Sequence, residues 1–216
     1  MKTTWRAYSL VPLGLLVLGT TGCETFRRTL GIPAETGIAI EDPLVDDEDE
    51  PVASQAQNTD GDSKVLLNAE AGIELTLPAA WSQDSRLHDS AELQASDISN
   101  QLYIVVVAEE DKTLSRLGLR ENASNYRRLL TNQLQSLQGQ SPTDVAFVGD
   151  NFASQYEIRG QVDTDTPVIY LHTTVVTESR YYQIVAWTTP SQYNAYKSEL
   201  QTITETFREV DTASSL

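Results

Sequence analysis

The sequence predicts an α+β fold, an antiparallel sheet covered by helices as an α/β/α sandwich, preceded by a signal peptide and an acidic linker. Three observations predict it. Apolar periodicity along the chain runs strands, helix, strands, helix. The turns between consecutive strands of the second half are too short for a crossover, so those strands must pair antiparallel. One strand, 102–110, is apolar on both faces and requires a layer on each side.

Taken in order, residues 1–22 have the layout of an export signal. Lys2 and Arg6 give a positive start, residues 10–19 (LVPLGLLVLG) form an apolar run, and small residues follow. A bilayer span needs ~20 apolar residues, and this run also holds Pro12 and Gly14. The chain's one cysteine, Cys23, stands where the run stops. Thr20-Thr21-Gly22-Cys23 resembles the lipobox of bacterial lipoproteins, in which the cysteine is acylated and becomes the mature N-terminus; Thr20 occupies a place that is usually aliphatic. Each buried CH₂ of such a chain adds roughly 0.8 kcal/mol of membrane affinity. Cys23 is therefore the expected lipid-attachment residue, and the membrane its first partner. The other readings are a secretory signal cleaved near Gly22, leaving a free thiol, or an uncleaved anchor.

Residues 23–63 read as the lipidated N-terminus and a disordered linker. Glu41, Asp42, Asp46, Asp47, Glu48, Asp49 and Glu50 crowd between prolines, and such a block repels itself and buries nothing. About forty flexible residues reach ~35 Å. Arg27 and Arg28 lie near the expected anchor, where each contributes on the order of 1 kcal/mol with anionic lipid. The acidic run also admits loose binding of a basic partner or divalent ions. "NTDGDS" at 58–63 hints at a calcium loop but lacks the ligand spacing of one.

The folded domain is expected over 64–210, with a short tail at 211–216. A strand at 65–67 precedes a turn near Gly72, and Ile73, Leu75 and Leu77 then alternate onto one face until Pro78. Segments 91–96 and 102–110 form a hairpin about Ser99-Asn100. Leu119, Ala123, Tyr126, Leu130, Leu134 and Leu137 recur at steps of three or four, which predicts a long amphipathic helix closed by Gly139. Four segments, 145–150, 151–162, 167–177 and 181–189, are rich in β-branched and aromatic residues and read as strands. A last helix over 191–208 carries Tyr193, Tyr196, Leu200, Ile203 and Phe207, with Pro190 just before it.

"AGIELTLPAAW", "AELQASD", "LYIVVVAEE", the helix at 122–137, "ASQYEIRG", "YYQIVAW" and "ITETFREV" together resemble the PsbP-like fold. That fold is shared by the photosystem II extrinsic protein, a Ran-binding nuclear transport factor and many small bacterial lipoproteins. The resemblance covers 65–210, rests on element order and on the aromatic after the first hairpin, and is nearest to the bacterial lipoproteins. It implies a binding or assembly factor.

The charge and the chemistry-bearing side chains fit that expectation. Net charge is −16, so a phosphate backbone is repelled and nucleic acid is not an expected partner. His88 and His172 are the only histidines, one expected exposed and the other partly buried on a strand. No G-x-S-x-G, Walker loop, G-x-G-x-x-G or C-x-x-C is present, and neither cofactor nor metal is expected. Asp163 and Asp165 sit where turns form, and Ser154 and Ser179 have no identified base. Tyr181, Tyr182, Trp187, Tyr193 and Tyr196 either pack the core or line a ligand groove. The expected function is thus an exported, membrane-tethered module, not an enzyme, that binds another protein of the envelope or thylakoid. A small-ligand or metal-binding envelope lipoprotein is the alternative. Glu24 after the cysteine, rather than Asp, leans toward the outer membrane.

Overall fold

A computed structural model describes residues 55–59, 61–109 and 117–210. The expected signal peptide, Cys23, the acidic run at 41–50 and the tail at 211–216 lie outside these residues. Within them the chain forms two antiparallel sheets and two helices. The sequence anticipates one sheet; the second is built from the N-terminal strands, with the C-terminus added.

The smaller sheet contains β1 (Gln55–Thr59), β2 (Ser63–Asn68), β3 (Ile73–Pro78) and β12 (Arg208–Glu209), in the order β1-β2-β3-β12. β1 lies inside the stretch read as linker, where its pairing with β2 starts the fold before residue 64. Ile73, Leu75 and Leu77 are buried, as their alternation predicts. β12 begins at Arg208, the last residue of the expected helix. Thr206 ends that helix: its hydroxyl donates to the Ile203 carbonyl at 2.7 Å and accepts the Thr76 N–H at 2.9 Å, so the chain turns onto β3.

The larger sheet runs β4 (Ser82–Gln83), β5 (Leu93–Asp97), β6 (Leu102–Ala108), β11 (Tyr181–Thr188), β10 (Pro167–Val176), β9 (Asn151–Gln161) and β7 (Ser136–Pro142), and β8 (Phe147–Val148) also pairs with β9. A single 3₁₀ turn, Ile98–Asn100, joins β5 to β6 and is capped by the Asp97 side chain. Ile104, Val105 and Val106 are fully buried, as a strand covered on both faces requires.

Helix α1 (Leu119–Asn132) lies on one face, where Leu130 packs with Tyr103, Val105, Ile158, Tyr170, Val185 and Trp187. Helix α2 (Pro190–Glu205) lies on the other with the smaller sheet, burying Tyr193, Leu200 and Ile203 against Ile104, Leu171 and Ile184. The α1 helix is shorter than its apolar period predicts. It stops at Asn132, and after a turn the chain becomes β7, with a bulge between Leu137 and Gly139. Thr131 and Asn132 are weak helix formers, and pairing the open edge of β9 satisfies backbone groups that another helical turn would leave unmatched. Leu134 still reaches the α1-side core, but Leu137 is 46% exposed. Gly139 marks a bulge rather than a helix end.

Candidate functional site

The sites named from sequence separate in space. His172 is fully buried on β10 beneath α1. The Gln183 side-chain oxygen accepts from its Nε2 at 2.9 Å and from the Thr174 hydroxyl at 2.7 Å, and the Gln183 amide donates to Asn122 Oδ1 at 2.7 Å. With Gln183 accepting, Nε2 carries the hydrogen, which leaves Nδ1 a bare acceptor with no hydrogen-bond partner. The Tyr126 ring stacks on the imidazole at 5.2 Å. Burial pushes the His172 pKa down to about 4, with the Arg127 charge adding to it and the Gln183 bond opposing. His172 thus belongs to a closed polar network inside the α1-side core.

His88 is half-buried rather than exposed. Burial lowers its pKa, Asp89 opposes that, and its Nδ1 accepts the Ser90 N–H at 3.2 Å. Asp163 accepts the Asp165 N–H at 3.1 Å and forms a turn. Ser179 does have a carboxylate partner that sequence reasoning missed. Thr177, Ser179 and Tyr182 hydroxyls all donate to Oε1 of Glu209, which ties β12 to the β10–β11 turn. The five aromatic residues do not line one groove. Tyr181 and Trp187 face the α1 side, Tyr182 and Tyr193 the α2 side, and Tyr196 donates to Asn100 at 2.8 Å. Tyr193 donates to Glu157, which Arg159 at 2.6 Å and Lys197 at 3.3 Å also engage, and these groups hold the carboxyl below its usual range against the opposing effect of burial.

The feature that sequence reasoning passed over is at the β8–β9 hairpin. Phe147 and Phe152 are cross-strand partners on either side of the two-residue turn Gly149-Asp150, where Gly149 takes φ +56°. Their ring centroids are 5.1 Å apart, yet the residues are 55% and 62% exposed. Val148 points the opposite way and is fully buried in the α2-side core, so the hairpin is anchored while its two rings face out. The rings share the α1 face of the sheet, and Phe152 pairs with half-buried Val176 of β10. Beside them lies a cleft of about 330 Å³. Its floor includes Ser154 and Tyr156; Leu119 and Arg120 of α1 form one wall and residues 142–146 the other. The Arg127 guanidinium covers the Tyr156 ring at 3.7 Å at the inner end. Arg120 and Asp144 give the cleft one charge of each sign, and both are exposed. The alternation of Phe147 against Val148 was legible, but not that the Phe147 side would stay exposed. Among the described residues no group of three side chains suits a metal ion, and no helix is long and apolar enough to cross a membrane.

Neither family models nor curated proteins give a match to this chain. Solved structures do. The solution structure of cyanobacterial PsbP (CyanoP) from Synechocystis sp. PCC 6803 superposes with a TM-score of 0.51 at 16% identity, over 74% of this chain and 99% of that one. The chain has the PsbP-like fold. The Saccharomyces cerevisiae Ran-binding protein Mog1p is also similar, at 14% identity over 70% of this chain and 97% of its own, with a TM-score of 0.44. A Pseudomonas aeruginosa protein of unknown function gives 13% identity and a TM-score of 0.38, over 68% and 96%. At 16% identity the likeness to CyanoP speaks for the fold alone.

Proposed function

We propose that the protein is a membrane-tethered binding or assembly module, acylated at Cys23, that docks a protein partner at the Phe147–Phe152 end of the sheet. The exposed ring pair is the observation that carries this reading. Fully burying a phenylalanine is worth ~1.5–3 kcal/mol, so a partner that covers two such side chains, left half in water on an anchored hairpin, gains from their burial. The resemblance to PsbP-like lipoproteins, which implies a binding or assembly factor, supports the same role. The lone cysteine behind a signal-like run supports the tether, and the −16 charge speaks against nucleic acid.

The test uses the full chain in its native membranes. Intact-mass analysis is expected to show an acyl chain on Cys23, and Cys23→Ser is expected to leave the membrane fraction. Cys23→Ser that stays with membranes, together with a wild type of unacylated mass, rejects the tether. Chemical crosslinking that repeatedly recovers no protein rejects the docking role. A small ligand is the second reading, favoured by the cleft, whose volume is at the lower end of ligand sites. A small-molecule thermal-shift screen that stabilises nothing, with a clean apo mass by native mass spectrometry, rejects it.

A further inference from the structure

We infer that the occupant of the Phe147–Phe152 surface is a protein segment both apolar and net basic, an inference that rests on the docking role just proposed. The rings supply the apolar demand. Asp150 lies in the turn between them and Asp144 three residues before Phe147, and neither is in an ion pair among the described residues. Glu178 adds a carboxylate in the β10–β11 turn next to Val176. Arg120 on the cleft wall, Arg127 over the Tyr156 ring and Arg180 in that same turn are the opposing charges. The surface therefore offers two acidic groups that lack an ion-pair partner among the described residues, in the segment that presents the rings, on a chain of net charge −16.

Charge decides among the three occupants an exposed aromatic pair admits. Insertion into an anionic bilayer would press Asp150 against headgroups of its own sign. A second copy would set Asp144 and Asp150 against a surface of their own kind, on a chain that carries −16 in all. A segment bearing Lys or Arg beside apolar side chains fills the cleft, covers the rings and pairs the free carboxylates, and the field of the whole chain steers it in.

The experiment places a photo-crosslinking phenylalanine analogue at position 147 of the full-length protein in its own membranes, with a control at Leu129, which is 52% exposed on the outer side of α1. Crosslinked peptides are sequenced by mass spectrometry. The expected result is a crosslink from 147 into a net basic, apolar segment of another protein, reduced about tenfold by Phe152→Ser and about threefold by Asp144→Asn with Asp150→Asn. A crosslink from 147 to lipid, to a second copy or to an acidic segment overturns the inference. Protein crosslinks from 129 alone overturn both this inference and the docking site at the hairpin, leaving only a binding role on another face. No protein crosslink from either position overturns both.

Discussion

Acidification tests the account of His172. Its folded pKa is about 4, against 6.5 for a free imidazole, because a proton on Nδ1 would be buried without an acceptor. Between these two values the unfolded chain holds a proton that the folded chain refuses, so stability falls as pH drops through 6.5 and the full penalty is reached below about 4. At ~1.36 kcal/mol per pH unit the whole shift is worth about 3.4 kcal/mol, and about 2 kcal/mol of it is lost between pH 7 and pH 5. That upper window is clean. Asp84, held low chiefly by its bond to Arg86, and Glu157 both keep their charge at pH 5. His88 titrates too, but it is common to both proteins when the wild type is compared with His172→Leu. The variant loses the Nε2 bond to Gln183 and the longer 3.3 Å contact of Nε2 with the Thr174 hydroxyl, which keeps its own bond to the Gln183 oxygen, at about 1 kcal/mol at pH 7. Urea unfolding at pH 7 and pH 5 should therefore show the wild type losing about 2 kcal/mol more than His172→Leu over that interval, so that the variant is the more stable at pH 5. Parallel pH profiles would refute the reasoning, since they would mean that His172 takes its proton as readily folded as unfolded.

Other expectations follow from packing. Gly160→Ala places a Cβ 2.6 Å from Leu134 Cδ1 and 2.6 Å from the Ser136 carbonyl oxygen. The leucine tip can move but the backbone of β7 cannot without breaking its pairing, so denaturant unfolding should report a loss of about 1–3 kcal/mol. Trp81→Phe removes the indole N–H that donates to Glu199 at 2.8 Å from a fully buried site, and about 1–2 kcal/mol should be lost in the same assay. Phe147→Ser with Phe152→Ser should shift stability by no more than about 1 kcal/mol, because both rings are more than half exposed; a larger thermal shift would make the pair part of the core.

Much of the fold was legible because apolar period and short turns are local signals. The two-faced strand β6, the antiparallel hairpins and the start of α2 at its proline are read from a few neighbouring residues. What was not legible depends on distant pairing. Leu134 and Leu137 continue the helical period, yet the free edge of β9 claims 136–142 as a strand. β12 is two residues long, and it exists because β3 has an open edge and Arg208 pairs with Glu74 there. The aromatic residues fell on strand and helix periods, as expected, and they are divided between the faces. The candidate surface escaped for the same reason. Phe147 and Phe152 look like core residues in sequence, yet both are more than half exposed.

The central claim is that the domain meets a protein partner through this hairpin while tethered through Cys23. Crosslinking and co-purification of the full chain from native membranes, wild type against Phe147→Ser with Phe152→Ser, tests it most directly. The account predicts one reproducible protein partner with the wild type, reduced at least about tenfold in the double variant at equal abundance and membrane association. Equal recovery of that partner by both proteins would contradict it.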